Sequence, residues 1–308
     1  MSAVVPPSAV PSAVPSAISS AISSAVPSIV PATADRDFRG RIGRDVRSGH
    51  YPVPHRYRLH LAPADPDCLG VAVTHALLGL DATLPLRLLP ALPDTPDGGY
   101  TALRPLYEAS AHLYRGPAAA PVLSDGWTGR IVSTHTPDIR RDLALRFRGD
   151  GPELLPEDRA DELRAVTDLC ARGVGAAAQR AGELGLDYTA AHHDPLTVLF
   201  AALGALERRL ARRPYVLGDT LTAADITVWV TLVQLDTVHR WHLDAAATER
   251  IAGHPTLWAY ATRLAGHPAF GRHLDIDALL ARHHAHCQGR EAAGAAMRIV
   301  DWAAARAA

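Results

Sequence analysis

The chain has no lysine and no asparagine in its 308 residues, so all 31 of its basic residues are arginine. Without a lysine there is no amine for a Schiff base, none to hold pyridoxal phosphate and none to fill a P-loop. Those enzyme classes are excluded. Cysteine is nearly as scarce: Cys68, Cys170 and Cys287 lie far apart. They make neither a disulfide framework nor a paired zinc motif, and a reducing cytoplasm is the simplest setting. The net charge is -1, which gives the chain no overall basic character for nucleic acid or an anionic membrane. No apolar run reaches the ~18 residues that a membrane span needs.

Residues 1–34 repeat Ser-Ala-Val-Pro and Ser-Ala-Ile-Ser without a charged side chain. Proline and serine recur too often for a packed helix, and the basic start and unbroken apolar core of a signal peptide are missing. The segment reads as a disordered low-complexity tail. Residues 35–149 read as an α/β unit. It has an alternating strand at 56–61, a turn at 63–66, a helix over 69–80 and a second strand at 86–89. A hairpin of 121–123 and 130–132 turns at Ser124-Asp125-Gly126, and a helix opens at Thr136-Pro137. Residues 150–156 read as a linker and 157–288 as all-helical. The helices are expected at about 158–182, 195–212, 222–239, 255–265 and 276–286, with 289–308 as a C-terminal extension. Leu196, Leu199, Phe200, Leu203, Leu206 and Leu210 share one helical face and form core.

The most organised stretch is Tyr215 to Ile226. Thr222 can cap a helix, and Asp225, three residues on, can reach back to the Thr222 amide: a capping box with Asp in place of the usual Glu. Leu221 and Ile226 can clasp as a hydrophobic staple. Val228, Trp229, Val230, Leu232, Val233 and Leu235 then put apolar residues on nearly every face, which marks an interior helix. The spacing by itself says no more than a well-capped core helix.

The wording of that stretch says more. Leu217-Gly218-Asp219-x-Leu221-Thr222-x-Ala224-Asp225-Ile226 resembles the start of the central helix of glutathione transferases. Thr231-Leu232-Val233-Gln234-Leu235-Asp236-Thr237-Val238 followed by His242 resembles the glutathionyl-hydroquinone reductase branch, and His254-Pro255-Thr256-Leu257-Trp258-x-Tyr260 is similar to its next helix. The resemblance runs with gaps from about Phe38 to about Cys287. It implies an α+β, mostly α fold: a thioredoxin-like domain followed by an all-helical glutathione transferase C-terminal domain.

It also implies a site. The family places Cys-Pro-Trp at the start of its first helix, where exposed amides and the helix dipole favour a thiolate. Here that Cys falls on Asp65, the Pro on Pro66 and the Trp on Asp67. An aspartate is a good N-cap but forms no mixed disulfide with glutathione. Cys68, in the first turn, is the remaining candidate nucleophile; it would leave the helix at a different azimuth, and Asp65 and Asp67 would disfavour its thiolate. A structural Cys packed under the helix is the alternative. Ala120-Pro121-Val122 resembles the family's Val-Pro-Val, whose Pro is cis and whose backbone pairs with the cysteinyl part of glutathione. Ser133-Thr134-His135-Thr136 stands where the family has Asn-Asn-Glu-Ser. His135 cannot supply the negative charge that holds the γ-glutamyl ammonium, while Thr136 keeps a hydroxyl for the carboxylate. Trp127 and Arg130, in the hairpin, are further candidates for contacting the peptide. On the acceptor side, Gly175 stands where the family has a Tyr, and His283-His284-Ala285 matches its late His-Tyr-Tyr, so the resemblance implies that the phenols that would polarise a quinone oxygen are missing.

His283, His284, His286 and Cys287 cluster near the C-terminus, but their spacing matches no complete zinc signature, and no metal is assigned. The implied function is a thiol-dependent transferase or reductase acting on a hydrophobic or quinone-type small molecule, with glutathione or another low-molecular-weight thiol as cosubstrate. A catalytically silent binding protein on the same fold is the alternative. The resemblance leaves a homodimer open and implies neither nucleic acid nor membrane as partner. Deleting residues 1–34 is expected to leave the thermal transition unchanged, because the repeat adds nothing to a core. A lowered melting midpoint in the truncated chain would refute that reading of the tail.

Overall fold

The computed structural model describes residues 38–147, 149, 151–184, 193–287 and 291–307; the tail at 1–34 lies outside them. The first strand, β1 (Tyr57–Leu61), leads through a tight turn into α1 (Pro66–Leu77), and the chain returns in β2 (Leu86–Leu88). β1 and β2 are parallel, with Leu59 opposite Leu86 and Leu61 opposite Leu88. A parallel pair needs such a crossover, because a tight hairpin cannot reverse the chain twice. After α2 (Arg104–Ser110), β3 (Val122–Asp125) and β4 (Arg130–Ser133) form the hairpin expected from the sequence, and α3 (Thr136–Arg146) follows. The sheet order is β2-β1-β3-β4, with β1/β3 and β3/β4 antiparallel.

α1 begins earlier than the apolar pattern suggested. Asp65 caps it and Pro66 occupies its first turn, where the missing N–H costs nothing. α2 was not expected: its seven residues are too few for a periodicity signal.

The remainder is helical: α4 (Ala160–Asp168), α5 (Ala176–Leu184), α6 (His193–Leu210), α7 (Ala223–Thr237), α8 (Ala245–Ala252), α9 (Pro255–Ala265), α10 (Pro268–Gly271), α11 (Ile276–Cys287) and α12 (Trp302–Ala307). The single helix expected at 158–182 is interrupted by a π-helical segment, Leu169–Gly175. Gly173 and Gly175 lower the helical preference there, and a Cβ on Gly173 would approach the Ala202 Cβ to 2.9 Å. The glycine therefore lets α6 pack close.

α7 sits in the middle, as its all-round apolarity requires. Trp229 is fully buried, donates its indole N–H to the Ala261 carbonyl at 3.1 Å and meets Phe270 edge-on at 5.1 Å. Thr222 and Asp225 form the capping box, and Asp225 does more than close a helix end. Its carboxylate accepts from the Thr222 amide (2.8 Å), the Thr222 hydroxyl (3.1 Å), the Val216 amide (2.8 Å) and the Tyr260 hydroxyl (2.8 Å). Beside it, the Ala223 amide donates to the Leu154 carbonyl at 2.9 Å, which ties the segment after α3 to the start of α7. Arg140 of α3 donates to the Ala223 carbonyl and the Thr227 hydroxyl.

The residues beyond α11 also pack onto the core. Asp236 accepts from Arg240 Nε and from the Trp302 indole, each at 2.8 Å, and Trp302 and Val300 are buried. No helix among the described residues is long and apolar enough to cross a membrane.

Thr222→Ala is expected to lower stability by about 1 kcal/mol, the usual cost of an N-cap. Asp225→Ala should cost several times as much. It strands the buried Val216 amide and Tyr260 hydroxyl without an acceptor, at about 1–3 kcal/mol each. Denaturant unfolding of the two variants measures the order; equal losses would mean that Asp225 serves only as a cap.

Candidate functional site

The first turn of α1 and the first turn of α3 come together at the ends of β1 and β3. This follows from the register. His60, next to the end of β1, pairs with Val122, the first residue of β3. The chain that leaves β1 into α1 and the chain that enters β3 are therefore neighbours. The Ala120–Pro121 bond at that entry is cis, as the resemblance implied. Val122 is fully buried.

Asp65 stands at the head of α1. One carboxylate oxygen accepts from the amides of Asp67 (3.0 Å) and Cys68 (3.2 Å). The other accepts from Arg282 of α11 at 3.1 Å, with the Asp65 and Arg282 side chains 20% and 25% exposed. The same guanidinium lies 3.4 Å from the hydroxyl of buried Tyr100. A fixed anion thus already occupies the helix N-terminus, where dipole and free amides favour negative charge. Burial raises the Asp65 pKa, and Arg282 is the main opposing influence. Tyr100 is pushed up to about 12, chiefly by burial.

Cys68 is fully buried directly beneath. Burial first, and the Asp65 charge second, push its thiol well above the ordinary range. Both effects disfavour a thiolate, and the side chain is closed off from solvent. Asp67 as a residue is exposed, yet its carboxyl lies among Asp65, Arg140, Thr136 and His135. Its carboxyl is raised to about 6, by burial first and by Asp65 second, against the influence of Arg140, the hydrogen-bonding Thr136 side chain and His135. Thr136, at the start of α3, therefore reaches across to Asp67. His135 caps the same helix and turns its Nδ1 towards Asp138 at 3.0 Å. Asp138 is also held by Arg39 at 2.7 Å and Arg41 at 3.1 Å.

The fold brings Asp65, Cys68, Pro121, Val122, His135 and Thr136 to one end of the sheet and leaves Trp127 and Arg130 at the other. Arg130 pairs with Asp125, which pairs with Tyr57 at the far end of β1. That end lies three residues, roughly 10 Å, from the His60–Val122 pair. Trp127 is 63% exposed and stacks on the Arg56 guanidinium at 4.4 Å, while Arg56 holds buried Asp125 at 2.8 Å. These contacts make Trp127 a brace of the hairpin turn.

Two side chains of the cleft carry no sequence signal. Arg282 is 217 residues from Asp65, and Tyr100 follows a glycine pair in a segment without periodicity. Only the α11 placement brings Arg282 into range. On the helical side, Gly175 ends the π segment. His283 packs against His242 at 5.0 Å and Trp241 at 5.7 Å. Among the described residues, no group of three or more His, Cys, Asp or Glu is placed to hold a metal.

Comparison with known proteins places this geometry in context. A profile of the glutathione S-transferase C-terminal domain matches residues 190–263. The glutathionyl-hydroquinone reductase PcpF of Sphingobium chlorophenolicum is 27% identical over 238 residues, covering 71% of this chain and 75% of that protein. A glutathione transferase structure from Gordonia bronchialis superposes with a TM-score of 0.69 at 29% identity, over 81% of this chain and 82% of the other. The glutathione-bound structure of Escherichia coli YqjG shares the fold with a TM-score of 0.67 at 22% identity, over 79% of this chain and 84% of that one.

Asp67 yields a pH prediction. Its pKa in the fold, about 6, lies above its ordinary value of 3.8. The folded state therefore holds the proton more tightly, and the stabilisation from this group is lost as pH rises through about 6. Asp67→Asn removes the titration. The melting midpoint of the variant is expected to gain on that of the parent between pH 4 and pH 7; a constant difference would contradict the raised pKa.

Proposed function

We propose that this chain, a member of the glutathione S-transferase superfamily on the side of its Xi-class and glutathionyl-hydroquinone reductase branch, is a thiol-dependent transferase or reductase of a hydrophobic or quinone-type small molecule. Its cosubstrate is glutathione or another low-molecular-weight thiol, and Asp65 takes the position of the usual nucleophilic cysteine. The thioredoxin-like part, residues 35–149, carries the thiol side of the cleft, and the helical part, residues 157–288, carries the acceptor side. The observation that carries the reading is the carboxylate of Asp65 seated on the first amides of α1 and bridged to Arg282.

This exchange changes the chemistry. A cysteine thiolate at position 65 would attack the sulfur of a glutathionyl thioether, forming a mixed disulfide as the C–S bond breaks and the hydroquinone carbon leaves with a proton. A carboxylate has no sulfur to give and cannot. It can accept the S–H proton of a docked thiol, leaving that sulfur to attack an electrophile. The raised pKa of Asp65 suits it to that role better than an ordinary carboxylate, since a base is matched when its pKa nears the working pH. Pro121 and Val122 supply the backbone edge for the thiol, and Thr136 supplies a hydroxyl for its carboxylate. His135, tied to Asp138, replaces an acidic clamp, which disfavours a γ-glutamyl ammonium and favours thiols without one.

The Asp65–Arg282 bridge also supports the second reading, a catalytically silent binding protein, because it fills the helix N-terminus internally. A thermal-shift series with glutathione and other small thiols separates thiol binding from its absence, since a ligand of the folded state raises the midpoint. The decisive assay sets parent, Asp65→Cys and Cys68→Ala side by side on a glutathionyl-hydroquinone. The parent is expected to be inactive and Asp65→Cys to gain activity through a lowered thiol pKa at the helix start. An active parent silenced by Cys68→Ala would overturn the assignment and make Cys68 the nucleophile.

A further inference from the structure

A second cluster of charge lies away from the Asp65 cleft. Glu162 of α4 and four arginines, Arg208, Arg209, Arg212 and Arg213, line a cavity of about 380 Å³. Two of the arginines end α6 and two follow it directly. Cations at a helix C-terminus interact favourably with its carbonyls, which accounts for basic residues there in general. It does not account for Arg209, whose Nη1 is buried and has no acceptor among the described residues.

The neighbouring acids are committed elsewhere. Glu207, which precedes the cluster, accepts from the amides of Thr256 (3.0 Å) and Leu257 (2.7 Å) at the start of α9. Glu162 lies 3.7 Å from Arg159. In a chain whose net charge is -1, four arginines and a single carboxylate around one cavity are a local excess of positive charge. Arg208, Arg212 and Arg213 are exposed and hydrated, whereas the buried Nη1 of Arg209 is closed to solvent and has no acceptor among the described residues.

We propose that this cavity is a binding site for a compact polyphosphate group, carried by inorganic polyphosphate or by a small phosphorylated metabolite. Guanidinium forks match phosphate oxygens in bidentate pairs, and several of them around one cavity suit a ligand with more than one phosphoryl group. The volume falls within the roughly 300–1,000 Å³ of small-molecule sites. Among the described residues no aromatic or aliphatic side chain lines it, so they offer no platform for a nucleobase, and recognition rests on the phosphates. The site is independent of the thiol chemistry proposed above.

The test is calorimetric titration of the full chain with sodium tripolyphosphate at fixed ionic strength, with orthophosphate and adenosine triphosphate as separate arms. Saturable one-site binding of tripolyphosphate is expected, with orthophosphate weaker. Equal affinity for adenosine triphosphate confirms that the phosphates alone are read; a much tighter nucleotide overturns that reading. Arg209→Gln and Arg212→Gln should each weaken tripolyphosphate by about tenfold, the scale of one charge-assisted contact. Glu162→Gln, a change at an exposed side chain, should tighten it. Melting curves check that each variant is folded. Absence of saturable binding in the parent, or folded arginine variants with parental affinity, would overturn the proposal.

Discussion

The buried carboxylate of Asp225 fixes the start of α7, the turn to which Arg140 of α3 and Leu154 are bonded. Four donors converge on it from the loop before α7, the cap of α7 and α9. Burial raises its pKa against the lowering effect of those hydrogen bonds. A carboxylate in such a place is stable only while every lone pair is used. The start of α7 is therefore a rigid joint. The Leu154 carbonyl and Arg140 of α3 are bonded to the same turn, so the sheet layer is positioned by the cap of a helix in the other layer. Arg140 itself is lowered to about 10 by its burial at this contact, with Asp67 opposing. The joint thus connects to the rim of the candidate site.

That site shows how one helix terminus can be filled in two ways. The first amides of α1 attract negative charge whatever its source. A thiolate there is a nucleophile held by the fold, whereas Asp65 is a carboxylate supplied by the chain, which can take up a proton but has no sulfur with which to attack. Once the carboxylate is in place, Arg282 from α11 is drawn to it, and Cys68 behind it is buried and held as a thiol. The consequences are linked: an acidic residue at position 65 works against a nucleophile one turn on and favours a cation opposite.

Charge is distributed unevenly elsewhere too. The chain is close to neutral, yet arginines gather at the end of α6, where four of them and a single carboxylate line one cavity. Because no lysine is available, every such site is built from planar, permanently charged forks. This gives the cavity its geometric preference for oxyanions with several oxygens.

The sequence by itself determined the local parts of this protein. The hairpin from 121 to 133, the start of α3 at Thr136-Pro137 and the capped, all-round apolar α7 were legible because turn residues, caps and periodicity act over a few neighbours. The wording around Leu217–Ile226 added the fold, since that stretch couples a loop to a central helix. α2 was missed for want of length, and the break at Leu169–Gly175 was hidden because two glycines in a helix weaken it without saying how it yields. At the site, Asp65 as a cap on α1 was local and readable. Its pairing with Arg282, the burial of Cys68 and the separation of Trp127 and Arg130 from the cleft were not. Each depends on strand register or on a helix arriving from more than 200 residues away. Only tertiary packing decides those, because the free energy that fixes them comes from burial shared among elements distant in the chain.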